Sequence, residues 1–230
     1  MKIAIYYHAK LIGPEFGIDT EFALNLFHKQ IALLERTGLM QAASHISIGL
    51  NEQPPIHGRL NAMIQKLPIM FHGSNARSEI PTLHALQRWL PKDEEWYVLY
   101  FHAKGVTHPN DRLCNVWRAC MTRAVINNWR RCIKDLDAGA DTVGAHWLTR
   151  EQFGPMVGTF FWGGNFWWAR SSFLRKLPQL PKTSVNRDMD FIAEKWIGMG
   201  PRPKVVDYAP HWPGLLPCSA DSYMFTSPRS

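Results

Sequence analysis

YVLYFHAKGVTHP, from Tyr97 to Pro109, is the stretch that decides the fold. Its apolar run, with Trp96 in front, reads as a buried strand over Trp96 to His102, and it ends in His102-Ala103-Lys104-Gly105. An open α/β sheet builds its ligand site just beyond such a strand end. Lys104 is a compact cation on a flexible stem, suited to a phosphate oxygen. Gly105 lets the backbone turn and come close to a ligand. His102 has three readings: donor to a phosphate, metal ligand, or a histidine closing an internal hydrogen bond. An isolated H-x-K-G is as readily a solvated turn lysine beside a core histidine, and only its place at a strand end argues for more.

Working outward, strands and helices alternate. Lys2 to His8 predicts a first strand, and Asp19 or Thr20 caps a helix that carries apolar residues at helical spacing to about Arg36 and stops at Gly38. Ala43 to Leu50 and Leu67 to His72 predict strands, with a short helix over Pro54 to Lys66 between them. A helix over Ile80 to Leu90 has Pro81 in its first turn. The longest predicted helix runs from about Asn115 to Leu136, and a strand follows at Thr142 to His146. Arg187 to Ile197 predicts a late helix, and Lys204 to Asp207 a last short strand. This order argues for α/β architecture with a mostly parallel sheet, as one domain over residues 1–230.

A second informative stretch is FFWGGNFWWARSSFLRKL, Phe160 to Leu177. Gly163 and Gly164 permit a tight turn under a ligand, the Asn165 amide suits sugar hydroxyls, and Trp faces stack on the C–H face of a sugar. Arg170 adds a cation. The plainer reading makes the tryptophans core, and adjacent Trp167 and Trp168 cannot face the same way in a strand. A third group is carboxylic. Asp188 and Asp190 open the late helix, where negative charge is at home. Glu194 is four residues past Asp190 and so shares its helix face. Any of the three is a candidate general base. Asn75, Glu79 and His211 are weaker candidates. Glu79 either holds a nucleoside or caps the helix after it.

The bulk composition narrows the classes. The chain has 230 residues, 46% of them hydrophobic, and a formal net charge of +7. It can bury a core, so disorder is excluded as the default. The positive charge is dispersed rather than striped, so a nucleic acid is not the expected partner. An anionic ligand fits, and a peripheral contact with an anionic membrane stays open. No run of about 18 apolar residues predicts a membrane span, and the KIAIYYHA start looks like a strand rather than a signal peptide. Cys114, Cys120, Cys132 and Cys218 form no paired C-x-x-C pattern, which reads as reduced thiols in a cytoplasmic protein.

YFHAKGVTHP, the W-R-x-x-M helix after it, DTVGAHW and FWGGNFWWARSSFLRKL together resemble a group of uncharacterised glycosyltransferase-like proteins. That group is typed Y-x-H-T-K-G, D-x-V-G and H-F-S-G-N-F-W-W-A, and is loosely similar to rhamnan-synthesis-type polysaccharide enzymes. The upstream NARSEIPTL fits too, so the resemblance covers about Asn75 to Gly198. It implies a GT-A-like, Rossmann-like fold and a nucleotide-sugar donor. By position, Gly163, Gly164 and Asn165, with Trp167, match the acceptor-side loop. Asp188, Asp190 or Glu194 match the carboxylate near the base, and His211 a late histidine or metal ligand. Folds of this kind end a central strand in Asp-x-Asp, which holds manganese or magnesium on the donor diphosphate. Here His102-Ala103-Lys104 stands in that place, and a lysine with histidines would neutralise the diphosphate instead.

The expected function is therefore glycosyl transfer from a nucleotide-sugar donor to a hydroxyl of a glycan or lipid-linked acceptor. His102, Lys104, Gly105 and Arg170 would serve the diphosphate, with Glu79 and Asn75 nearby. The rival expectation is a carbohydrate- or nucleotide-sugar-binding module that has lost turnover.

Overall fold

The computed structural model describes residues 2–11, 18–51, 70–73, 79–149, 160–181 and 188–209. Strand β1 (Lys2–Lys10) is central because both of its faces are apolar. Ile3, Ile5, Tyr7 and Ala9 point into one core, Ala4 and Tyr6 into another, all almost without exposure. Side chains alternate across a strand, so one residue of shift would exchange the two sets. β2 (His45–Asn51) and β4 (Trp96–His102) flank β1 in parallel, and β3 (Met70–Gly73) continues beyond β2. On the other side β4 is followed by β8 (Trp167–Arg170), β5 (Thr142–Gly144) and β9 (Val205–Asp207). The seven-stranded order is β3-β2-β1-β4-β8-β5-β9. β8 alone runs antiparallel to its neighbours.

Helices cover both faces, as the two strand patterns require. On one side lie α1 (Thr20–Arg36), the short α2 (Leu39–Ala42), and the long broken helix made of α4 (Arg112–Thr122), a π-helical turn (Arg123–Asn127) and α5 (Trp129–Asp137). On the other lie α3 (Ile80–Trp89), α6 (Ser171–Leu174) and α7 (Asp188–Lys195), which tightens into a 3-10 turn at Trp196–Gly198. Asp19 caps α1 by accepting from the Phe22 N–H, and Gly38, at φ +72°, follows the end of α1. Asp111 accepts from the Leu113 and Cys114 N–H groups, so α4 starts three residues before the apolar stripe predicts. The π turn is a second departure from that single predicted helix. It adds a residue to one turn, which is how a helix re-aims its stripe. Beyond it the Trp129 indole N–H reaches the Thr37 carbonyl and ties α5 to the end of α1.

A small two-stranded sheet, β6 (Trp147–Leu148) with β7 (Phe161–Trp162), leads into β8. Trp162, Trp167, Trp168 and Trp196 are fully buried. Each contributes on the order of 4 kcal/mol of apolar burial. The predicted helix over 54–66 lies outside the described residues. The fold is thus α/β, with a mostly parallel central sheet flanked by helices.

Candidate functional site

The strand order reverses at β1: β2 and β3 lie to one side, β4 to the other. The crevice outside the carboxyl ends of β1 and β4 is therefore the topological switch point, where open α/β sheets hold ligands. His8 and His102 stand side by side there. Because β8 is antiparallel, its beginning, not its end, lies at this edge. Trp167 pairs with Tyr100, and the preceding Gly164 and Asn165 fall beside His102.

A buried polar network joins the two segments. Glu79, just ahead of α3, accepts through Oε2 from the Tyr100 hydroxyl at 2.7 Å and the Asn165 amide at 2.8 Å. Its Oε1 is 3.1 Å from His102 Nδ1. The other ring nitrogen of His102 is 2.8 Å from the Gly164 carbonyl, which fixes it as a donor. Burial, followed by the charge of Lys104, pushes the His102 imidazole down to about 3. Burial raises Tyr100 well above the usual phenol range, and the neighbouring Glu79 carboxylate adds to this. The Trp167 indole N–H closes the network on the Asn165 side-chain oxygen at 2.7 Å.

Lys104 is built differently. Its Nζ lies 4.3 Å from the centre of the Trp117 ring, on α4, and 3.6 Å from Glu194 Oε1, on α7. The lysine thus spans helices from opposite faces of the sheet. Gly105, at φ +79°, turns the chain immediately after it, and an added Cβ there would press on Arg118 Nη1 at 3.0 Å. Arg118 donates to the Lys104 carbonyl at 2.7 Å and to the Asn115 side-chain oxygen at 2.6 Å. Burial lowers the Arg118 guanidinium from its ordinary range.

The structure thus brings Glu79, His102, Lys104, Gly105, Gly164, Asn165 and Glu194 to one edge. Several predicted roles change. Asn165 is fully buried, and its amide nitrogen is turned to Glu79 and the Ala193 carbonyl rather than outward. Trp167 is core and not a sugar platform, since its position in β8 points it between Tyr100 and Trp196. Gly163 abuts Leu148, where an added Cβ would meet Cδ1 at 2.7 Å, so its smallness serves packing. Arg170 is not part of the group. The antiparallel register sets it beside Tyr97 at the opposite edge, where it pairs with Glu95 at 3.1 Å. Glu79 faces inward, as an organiser rather than a free nucleoside ligand. Asp188 and Asp190 belong to the first turn of α7. Asn75 and His211 lie outside the described residues.

The structure gives roles to four residues that the sequence reading left without one: Tyr100, Trp117, Arg118 and Lys10. Trp117 and Arg118 open the W-R-x-x-M stretch, which lies in the middle of α4. The donor set at the end of β4 does not suit manganese or magnesium, which take oxygen ligands. His102 is engaged with Glu79 and Gly164, and the nearest carboxylate to Lys104 is paired with its ammonium. Among the described residues no cluster of three or more His, Cys, Asp or Glu could hold a metal ion, and no helix is long and apolar enough to cross a membrane.

Comparison with known proteins gives the following. Among solved structures the chain is similar to that titled "Crystal structure of 4-diphosphocytidyl-2C-methyl-D-erythritol synthase", at 12% identity over 90% of this chain and 88% of that one, with a TM-score of 0.43. No curated protein matches at a significant level. A family profile described as "Domain of unknown function (DUF8361)" matches residues 16–205, and the chain belongs to that family.

Proposed function

We propose that the protein binds a nucleotide-sugar donor at the carboxyl edge of the sheet and transfers the sugar to a hydroxyl of a glycan or lipid-linked acceptor. The observation that carries this reading is the setting of Lys104: a cation beside a positive-φ glycine, at the strand-order reversal, held by one ring and one carboxylate. In the transfer, the acceptor oxygen bonds to the anomeric carbon as the bond from that carbon to the diphosphate oxygen breaks. The electron pair leaves with the diphosphate, and Lys104 stabilises that growing charge. The hydroxyl proton passes to a carboxylate, for which Glu194 is the described candidate and Asp188 and Asp190 are the alternatives on the same helix. Base and leaving group serve different bonds of the same carbon. The 3.6 Å contact between Lys104 and Glu194 must therefore open when donor binds.

Lys104→Ala is expected to lower sugar transfer about 100-fold or more without unfolding the protein, read by a transfer assay beside a thermal melt. Transfer at the wild-type rate would remove Lys104 from the mechanism. A screen of UDP, GDP, CMP and dTDP sugars, with and without manganese, identifies the donor by the rise in melting temperature. The second reading, a nucleotide-sugar-binding module without turnover, is favoured by the lack of a carboxylate pair in His102-Ala103-Lys104. Binding in that screen with neither transfer nor donor hydrolysis would select it.

A further inference from the structure

Lys10 is the last residue of β1 and lies two positions beyond the register pair His8–His102. Alternate residues of a strand share a face, so Lys10 projects on the side of His8 and His102, over the end of the sheet that carries Lys104. It is partly buried, and it forms no hydrogen bond or ion pair among the described residues. A cation in such a place is available to an anionic ligand.

We propose that Lys10 and Lys104 are the two arms of a clamp for a diphosphate in the β1–β4 crevice, with Lys10 unpaired among the described residues and Lys104 exchanging Glu194 for a phosphate oxygen. This deepens, and rests on, the reading of this edge as a nucleotide-sugar site. Both lysines act on one group: after burial, the charges of Lys104 and Lys10 help depress the His102 imidazole. Arg118 adds a third cation whose hydrogen-bond acceptors here are a carbonyl and an amide oxygen rather than a carboxylate. Against these three stand two carboxylates among the described residues, Glu194 and Glu79. Three cations against two carboxylates leave these described groups net positive. A diphosphate diester carries one charge on each phosphate, so it can meet both arms at once. A single phosphate has one centre for the two arms to share.

The test is calorimetric titration of the full chain with inorganic pyrophosphate and, separately, inorganic phosphate. Pyrophosphate is expected to bind about tenfold or more tighter than phosphate, since charge-assisted hydrogen bonds are the strong ones. Lys10→Met should weaken pyrophosphate about tenfold or more and phosphate less than about threefold, while Lys10→Arg keeps the pyrophosphate affinity. A thermal melt checks that each variant is folded, and the Arg variant keeps the comparison open if the Met variant is not. Wild-type pyrophosphate affinity in Lys10→Met overturns the clamp. If that variant also transfers sugar with an unchanged KM, the clamp fails alone and the glycosyl-transfer reading stands. If pyrophosphate binding needs both lysines but no sugar nucleotide binds or reacts, the clamp stands and that reading fails.

Discussion

His146 sits at φ +66°, nearly without exposure, just beyond β5. Its main-chain N–H donates to Asp207 Oδ1, and the same carboxylate accepts from Trp147 and Ala209. Burial pushes the imidazole down to about 4. Folding therefore favours the neutral ring. Between about pH 6.5 and that lowered value the unfolded chain takes up a proton that the folded chain refuses. Stability from this residue is complete above about pH 6.5 and falls as pH drops toward 4. The loss approaches about 3 kcal/mol near pH 4, at 1.36 kcal/mol per unit. His146→Asn keeps a residue that tolerates positive φ and removes the titration. Urea melts at pH 7 and pH 4.5 are expected to show a drop in wild type about 2 kcal/mol larger than in the variant. Equal drops would show that the ring is not held neutral.

Elements set what the residues can do. The turn between β7 and β8 puts Gly164 at φ +84°, where an added Cβ would lie 2.6 Å from Met121 Sδ. Gly164→Ala meets both backbone strain and overpacking, and is expected to cost about 2–4 kcal/mol, read as a lower urea midpoint. Met121→Ala should recover part of that loss when combined with it, because the steric half of the penalty is then relieved. An additive double variant would place the whole cost in the backbone. The same turn explains what the sequence could and could not disclose. β4 was legible over its full length, since an unbroken apolar run bounded by polar residues has one good reading. The start of α1 was legible from Asp19. The direction of β8 was not. Strand periodicity is the same for parallel and antiparallel pairing, and this alone moved Arg170 away from Lys104 and turned Trp167 into core. The break in the long helix was hidden likewise, because apolar residues continue at near-helical spacing through Arg123–Asn127. Lys10 was missed because the predicted strand stopped at His8, two residues short of the end of β1.

At the scale of the whole molecule the formal charge is +7, so loose binding of anions in general is expected to fade with salt. A ligand held in a partly buried crevice is screened less. At about 100 times its Kd, such a ligand stabilises by about 2.7 kcal/mol, which for a chain of this size is a rise of about 5–10 °C in Tm. A sugar nucleotide should keep most of that shift between 50 and 300 mM salt (about a threefold fall in Debye screening range at most), whereas a shift that vanishes in salt would mean loose surface condensation. The candidate site was legible in part at this scale. The sequence placed His102, Lys104 and Gly164 correctly at a strand end and a turn, but it could not tell that Glu79 would organise them, because that contact joins positions far apart in the chain.

The placement of β8 also fixes the order in which the molecule can be completed. β1 to β4 emerge first from synthesis and can pair among themselves, yet β4 then presents an open hydrogen-bonding margin until residues 167–170 arrive to occupy it. Such a margin invites pairing with other chains. A polypeptide truncated ahead of residue 160 would thus carry Lys104 without Gly164, Asn165 or Glu194, and would be more prone to clump than to bind. The edge that gathers Lys104, Gly164, Asn165 and Glu194 is in this sense assembled only late in synthesis.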